Sequence, residues 1–179
     1  MSEIQAVRHG YTTDVADRIN ASRIELSAFR LLCAFYADKP IKKELLESKE
    51  FKSIEALYGE YRDEEIIHLL IEIATLYRLQ AWKMGSAELR KKEHAKQVGD
   101  LLLEGAKDWV PLAMLEACNK IIHADRINFD VTKMRKAKYR YLEPILYIYG
   151  KKGKVNWVAM LDIMSFCEWA MTDIYPIPF

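Results

Sequence analysis

The sequence predicts an α+β fold, mainly α, in a single domain over residues 1–179: a helical bundle at about 13–126, then a C-terminal β-hairpin and closing helix at about 131–174. Three observations carry this. Apolar residues recur at helical spacing through the first two thirds of the chain, and the period switches to alternation after Asp130. A lysine-rich turn, Gly150-Lys151-Lys152-Gly153, then separates two runs of aromatic and β-branched residues. With 51% apolar and 30% charged residues the composition is that of an ordinary globular domain, long enough to bury a core without a metal or disulfide staple.

Residues 1–10 carry no clear period and read as a short strand or an arm. From about Thr13, the residues Val15, Ile19, Leu26, Phe29, Leu32, Cys33 and Tyr36 form one helical stripe, and Pro40 stops it. Ile41–Leu46 and Phe51–Tyr58 read as two short helices, the second closed by Gly59. A strong helix follows from about Asp63 to Met84, where Ile66, Leu69, Leu70, Ile73, Leu76, Tyr77 and Trp82 give the wide apolar arc of a central helix. Ser86 can cap a polar helix over Glu88–Lys96, continuing through Leu101-Leu102-Leu103, with Gly99 or Gly105 as a break. Asp108-Trp109-Val110-Pro111 reads as the next helix start, with aspartate as cap and proline in the first turn. This helix carries Leu112, Leu115, Ile122 and Ala124. Beyond it, Tyr139, Tyr141, Ile145, Tyr147 and Tyr149 alternate along a first hairpin strand, and Val155, Trp157 and Ala159 along a second. Pro144 belongs at a bulge or outside the paired part, and Asp162 caps a final helix through Ile163, Phe166, Cys167 and Trp169.

The net charge of +1 hides an asymmetry. Lys133, Arg135, Lys136, Lys138, Arg140, Lys151, Lys152 and Lys154 stand against Glu143 alone between Val131 and Lys154, so this segment can steer a polyanion or an acidic protein. The same lysines also suit a solvated hairpin whose edges they blunt. Tyr139, Tyr141, Tyr147 and Tyr149, interleaved with basic residues, fit either bases stacked on a sheet or an ordinary packed hairpin.

Cys33, Cys118 and Cys167 lie far apart in apolar-periodic contexts, as buried thiols of a reducing compartment do. No apolar run approaches a membrane span, and Met1-Ser2-Glu3-Ile4-Gln5 lacks the regions of a signal peptide, so a cytoplasmic location is expected. The chain has no Gly-rich phosphate loop, paired-cysteine spacing, helical His-Glu-x-x-His or nucleophile elbow. His9, His68, His94 and His123 share no metal-like spacing, and neither a metal nor another cofactor is expected.

The chemistry concentrates in Cys118-Asn119-Lys120-Ile121-Ile122-His123-Ala124-Asp125-Arg126. Asn119, His123 and Arg126 are spaced four and three apart, so on a helix they share one face. At that helix's C-terminal end the dipole favours a cation. Such a trio suits a phosphate, a nucleotide or a partner's carboxylate. The alternative is a core or interface histidine hydrogen-bonded to Asn119 or Asp125.

In the run Asn119–Ala124 the segment resembles the HEPN domain, a family of small helical bundles among prokaryotic toxins, phage-defence proteins and RNA-processing factors. That family's signature is an arginine, a polar residue, three more residues and a histidine. Here the polar residue falls on Asn119, the histidine on His123, and the arginine position on Cys118. The resemblance implies metal-independent RNA cleavage or RNA binding, and two chains paired across a dimer. His123 would be the base or acid, Asn119 would orient it or a phosphate oxygen, and Arg126 would replace the guanidinium that steadies the phosphorane. Arg62 and His68 fit the loosest form of the signature. The rival class is a non-enzymatic accessory or inhibitory protein that acts on a protein partner through a charged face.

Overall fold

The computed structural model describes residues 15–47, 50–84, 96–131 and 140–172. Among these the order is α1 (Val15–Glu47), α2 (Lys52–Met84), β1 (Gln97–Leu103), β2 (Val110–Ala113), α3 (Met114–Ile122), β3 (Arg126–Val131), β4 (Leu142–Lys152), β5 (Val155–Asp162) and α4 (Ile163–Thr172). The strands form one antiparallel sheet in the order β2-β1-β5-β4-β3. The α+β class therefore stands, but the helices form a layer on one sheet face instead of a bundle closed on itself. The alternation along the strands shows it: Leu146 and Ile148 of β4 and Trp157, Ala159 and Leu161 of β5 are buried in one core with Ile24, Leu31, Leu70, Ile73 and Phe166 of the helices.

The C-terminal elements follow the sequence closely. β4 and β5 pair from Ile145↔Asp162 to Lys152↔Val155. Pro144 lies outside that pairing and inside an irregularity of the β3–β4 ladder, where Phe129↔Leu146 is followed by Val131↔Leu142. Such a bulge accommodates a residue that cannot donate a ladder bond. Asp162 caps α4, its Oδ1 accepting the Ser165 N–H at 2.7 Å.

The N-terminal half departs from expectation. Pro40 does not stop α1, which runs on to Glu47, and Gly59 lies inside α2. A buried anchor offsets the hydrogen bond that Pro40 cannot donate. Asp38 is fully buried; its Oδ1 accepts the Tyr58 hydroxyl and Arg62 Nη1, each at 2.8 Å, and its Oδ2 accepts the Leu142 N–H at 2.7 Å. Lys42, one turn beyond Asp38, approaches Oδ2 at 3.2 Å and donates to the Arg140 carbonyl at 3.0 Å. One carboxylate thus ties α1, α2 and the start of β4. Burial alone would raise its pKa, but these donors and the Lys42 charge outweigh that and hold it below the usual carboxylate range. A methyl group at the Gly59 Cβ position would meet nothing within 4 Å. Gly59→Ala is therefore expected to stabilise the protein by about 0.5–1 kcal/mol, read as a rise in the denaturant midpoint at unchanged m.

Residues 97–103 are a strand, where a continued helix is expected from the sequence. Val98 and Leu101 are buried, and a Cβ at Gly99 would overlap the Met160 carbonyl oxygen across the β1–β5 ladder. The expected helix start at Asp108–Pro111 is likewise replaced by β2, an edge strand, where proline costs no ladder bond. The helix proper begins only at Met114.

Cys118 and Cys167 are buried as expected, but Cys33 is exposed. It sits on the outer face of α1 with Leu26, Phe29 and Tyr36, which are 57%, 63% and 55% exposed. Burial, and then the nearby Asp162 charge, push the Cys167 thiol up to about 12. A thiol reagent at neutral pH is expected to label Cys33 alone in the folded protein and all three cysteines after denaturation.

Candidate nucleic-acid interface

α3 is short, nine residues, and strongly amphipathic, with Met114, Ala117, Cys118 and Ile121 turned into the core. The opposite side carries Glu116, Asn119 and Lys120 and ends at His123, the C-cap, whose backbone N–H donates to the Asn119 carbonyl at 3.1 Å. The chain then turns through Ala124 and Asp125. The Asp125 N–H donates to the Tyr149 carbonyl at 2.8 Å, which fixes the His123 turn against β4.

β3 begins at Arg126, opposite Tyr149, so the last residues of β4, Gly150–Lys152, have a ladder partner only on the β5 side. A cleft opens beside this bare edge. It has a volume of about 620 Å³ and is lined by Glu116, Asn119, Lys120, His123, Ala124, Asp125, Lys151, Lys152 and Trp157. Its floor is Trp157, buried and lying across Gly150, where any Cβ would overlap the indole. Lys120 lies over that indole at 4.3 Å from the ring centroid and pairs with Glu116 at 3.1 Å, so its charge is already engaged. Lys151 and Lys152 are exposed at the rim.

The structure thus brings together four of the residues singled out in the sequence, Asn119, His123, Lys151 and Lys152. His123 is exposed, and among the described residues neither its ring nor the Asn119 amide has a hydrogen-bond partner, so it is not a satisfied core histidine. Arg126 is a correction. The helix ends before it, so it shares no helix face with Asn119 and His123; as the first residue of β3 its guanidinium stacks over Tyr149 at 4.3 Å and takes no part in the cleft lining. Cys118, at the signature's arginine position, is fully buried.

Arg140 and Lys154 are exposed and outside the lining. Lys133, Arg135, Lys136 and Lys138 lie outside the described residues, as do His9, His94, Tyr139 and the Trp82 side chain. Arg62 belongs to the Asp38 anchor and also pairs with Asp63 at 2.6 Å, while His68 is exposed on α2, so that pair assembles no site.

Glu116, Lys120 and Trp157 were not among the residues expected in the site. Their signals existed: Glu116 and Lys120 are an i,i+4 pair, and the hairpin register sets Trp157 opposite Gly150. Among the described residues no group of three or more histidine, cysteine, aspartate or glutamate side chains is gathered to hold a metal ion. None of the described helices is long and apolar enough to cross a membrane. Comparison with family models, with characterised proteins and with solved structures finds no match.

Proposed function

We propose that the protein is a HEPN-like factor of RNA metabolism or phage defence that binds RNA without cutting it, gripping the phosphate backbone in the cleft between α3 and the β4–β5 tip. The observation that supports this best is the open cleft itself, where the Asn119 amide and His123 ring stand unpaired among the described residues beside two rim lysines. An amide and an imidazole can donate to phosphate oxygens, and Lys151 and Lys152 supply the charge that releases counterions.

Cleavage asks for more. A 2′-hydroxyl attack needs a base, an acid for the leaving 5′-oxygen and a cation on the phosphorane. The lining offers one imidazole, no arginine among the described residues, and a lysine already paired with Glu116. When a mixed RNA pool is incubated with wild type and with His123→Ala, both are expected to leave it intact, while wild type retards it in a gel. Fragments formed by wild type and absent with His123→Ala would overturn the binding-only reading.

A second reading, a protein that works through a protein partner, is favoured by the α1 stripe. Leu26, Phe29, Cys33 and Tyr36 follow heptad spacing and are all exposed. The occupant that suits a helical seam of this kind is the same seam of a second copy, the dimer that the resemblance implies. Phe29→Glu is expected to convert a dimer to a monomer in sedimentation velocity, and a wild type that sediments as a monomer contradicts this reading.

A further inference from the structure

The β4–β5 ladder sends alternate residues to opposite sheet faces. Leu146, Ile148 and Gly150 face the helices; Tyr147, opposite Met160, and Tyr149, opposite Val158, face the other way and are only partly buried. None of the described helices lies on that second face. Across β3 the neighbours are polar: Asn128 stands opposite Tyr147, and Arg126 opposite Tyr149 with its guanidinium over the ring. Lys151 continues the same row into the cleft, and the Tyr149 carbonyl is the one that holds the His123 turn.

Two aromatic rings and a cation on β4, with a second cation and an amide beside them on β3, therefore run from the face into the phosphate cleft. Acidic groups stand at the two ends of this track: Asp130 follows Asn128 on β3, its Oδ1 accepting the Val131 N–H, while Asp125 and Glu116, the latter paired with Lys120, line the cleft. Asp100 is two strands away on β1, opposite Met160, and the Asp162 carboxylate is taken up by the Ser165 N–H. The row of rings, with Arg126 and Lys151 beside it, thus runs along β3–β4 and not across the sheet.

We propose that this face is a stacking platform for the unpaired bases of single-stranded RNA whose backbone continues into the cleft, a proposal that rests on the RNA reading above. Tyr147 and Tyr149 each receive a base, Arg126 stacks on the outer side of the base or ring at Tyr149, and Asn128 reads a base edge with its amide. The class of ligand follows from the chemistry. In a duplex the base faces are stacked on one another and out of reach of these rings, whereas loops and single strands offer them. Single strands are therefore preferred over duplex of the same length.

The test compares affinities for a fluorescein-labelled oligoadenylate of about ten nucleotides and for a duplex of equal length. Tyr147→Leu and Tyr149→Leu, which keep an apolar side chain, are each expected to weaken single-strand binding on the order of tenfold and to leave the salt dependence unchanged. Tyr147→Phe and Tyr149→Phe should bind as wild type does. In wild type with labelled tyrosines, the Tyr147 and Tyr149 ring protons should move upfield as RNA is added, a readout independent of any variant's folding. Wild-type affinity in both leucine variants, with unmoved ring signals, overturns the platform and leaves the phosphate cleft standing. Absence of RNA binding by wild type overturns both. A change of oligomeric state in the leucine variants, with RNA affinity intact, would make the face a contact between copies and also overturn the platform.

Discussion

Replacing Asp38 by alanine is expected to destabilise the protein by about 3–5 kcal/mol, a fall of roughly 6–20 °C in Tm for a chain of this size. Asp38 is 0% exposed and serves four donors from three elements, so its removal leaves the Tyr58 hydroxyl and the Leu142 N–H without their acceptor, and leaves Arg62 with Asp63 alone and Lys42 with the Arg140 carbonyl alone. Tyr58→Phe removes one neutral donor and is expected to cost only about 1 kcal/mol. The pH dependence has a definite sign. The folded-state pKa of Asp38 is depressed below its ordinary value of 3.8, so its stabilisation is complete above that pH and is lost as the pH falls through the lower, folded value. Glu72 adds to this in the same direction: the Ser27 hydroxyl, donating at 2.6 Å, and then Arg23 hold its carboxyl below 4.5 against the effect of burial. Chemical denaturation of wild type and Asp38→Ala between pH 7 and pH 2.5 measures both effects. The gap between the two proteins should narrow at the acid end, and a variant within 1 kcal/mol of wild type at neutral pH would show that the anchor contributes little.

The second large effect concerns binding. The double variant Lys151→Glu, Lys152→Glu is expected to lose RNA affinity on the order of 100-fold at low salt, about tenfold for each phosphate contact removed. Both side chains are exposed at the cleft rim, so stability should change by no more than about 0.5 kcal/mol per site. The slope of log affinity against log salt should become shallower by roughly 1.4, two single-strand phosphate contacts. Lys154→Glu, on the same turn but outside the lining, is the control and should weaken binding far less. Equal losses in the two proteins would indicate diffuse attraction by the hairpin in place of a built cleft.

The parts of this fold legible in the sequence are those set by local chemistry. The β4–β5 hairpin announces itself through alternating aromatic and β-branched residues around Gly153, and the α4 cap through Asp162 and its i+3 partner. What is illegible depends on partners far away in the chain. Residues 97–103 hold a short apolar run whose period does not separate strand from helix, and only the close approach of Met160 to Gly99 decides it. Pro111 suits a helix start and an edge strand equally well, and the choice is made by pairing with β1. Pro40 is a stop signal by local rules, yet the Asp38 carboxylate finds its donors 20, 24 and 104 residues away and the helix continues.

The site divides in the same way. Asn119 and His123 share a wall because both lie within or at the end of one helix, which their spacing shows. Arg126 leaves that wall because the helix stops four residues earlier, at Ile122 with His123 as its cap, and β4 captures the chain. The arginine is then found over Tyr149, on the sheet face and at the same strand that carries the rim lysines.

The most direct test of the central claim is the affinity of wild type for a labelled single-stranded RNA, measured by anisotropy across potassium chloride concentrations. Phosphate contacts at the cleft predict measurable binding at low salt and a straight, steep decline of log affinity with log salt. No binding at the lowest salt, or binding indifferent to salt, would contradict a cleft that holds the RNA backbone.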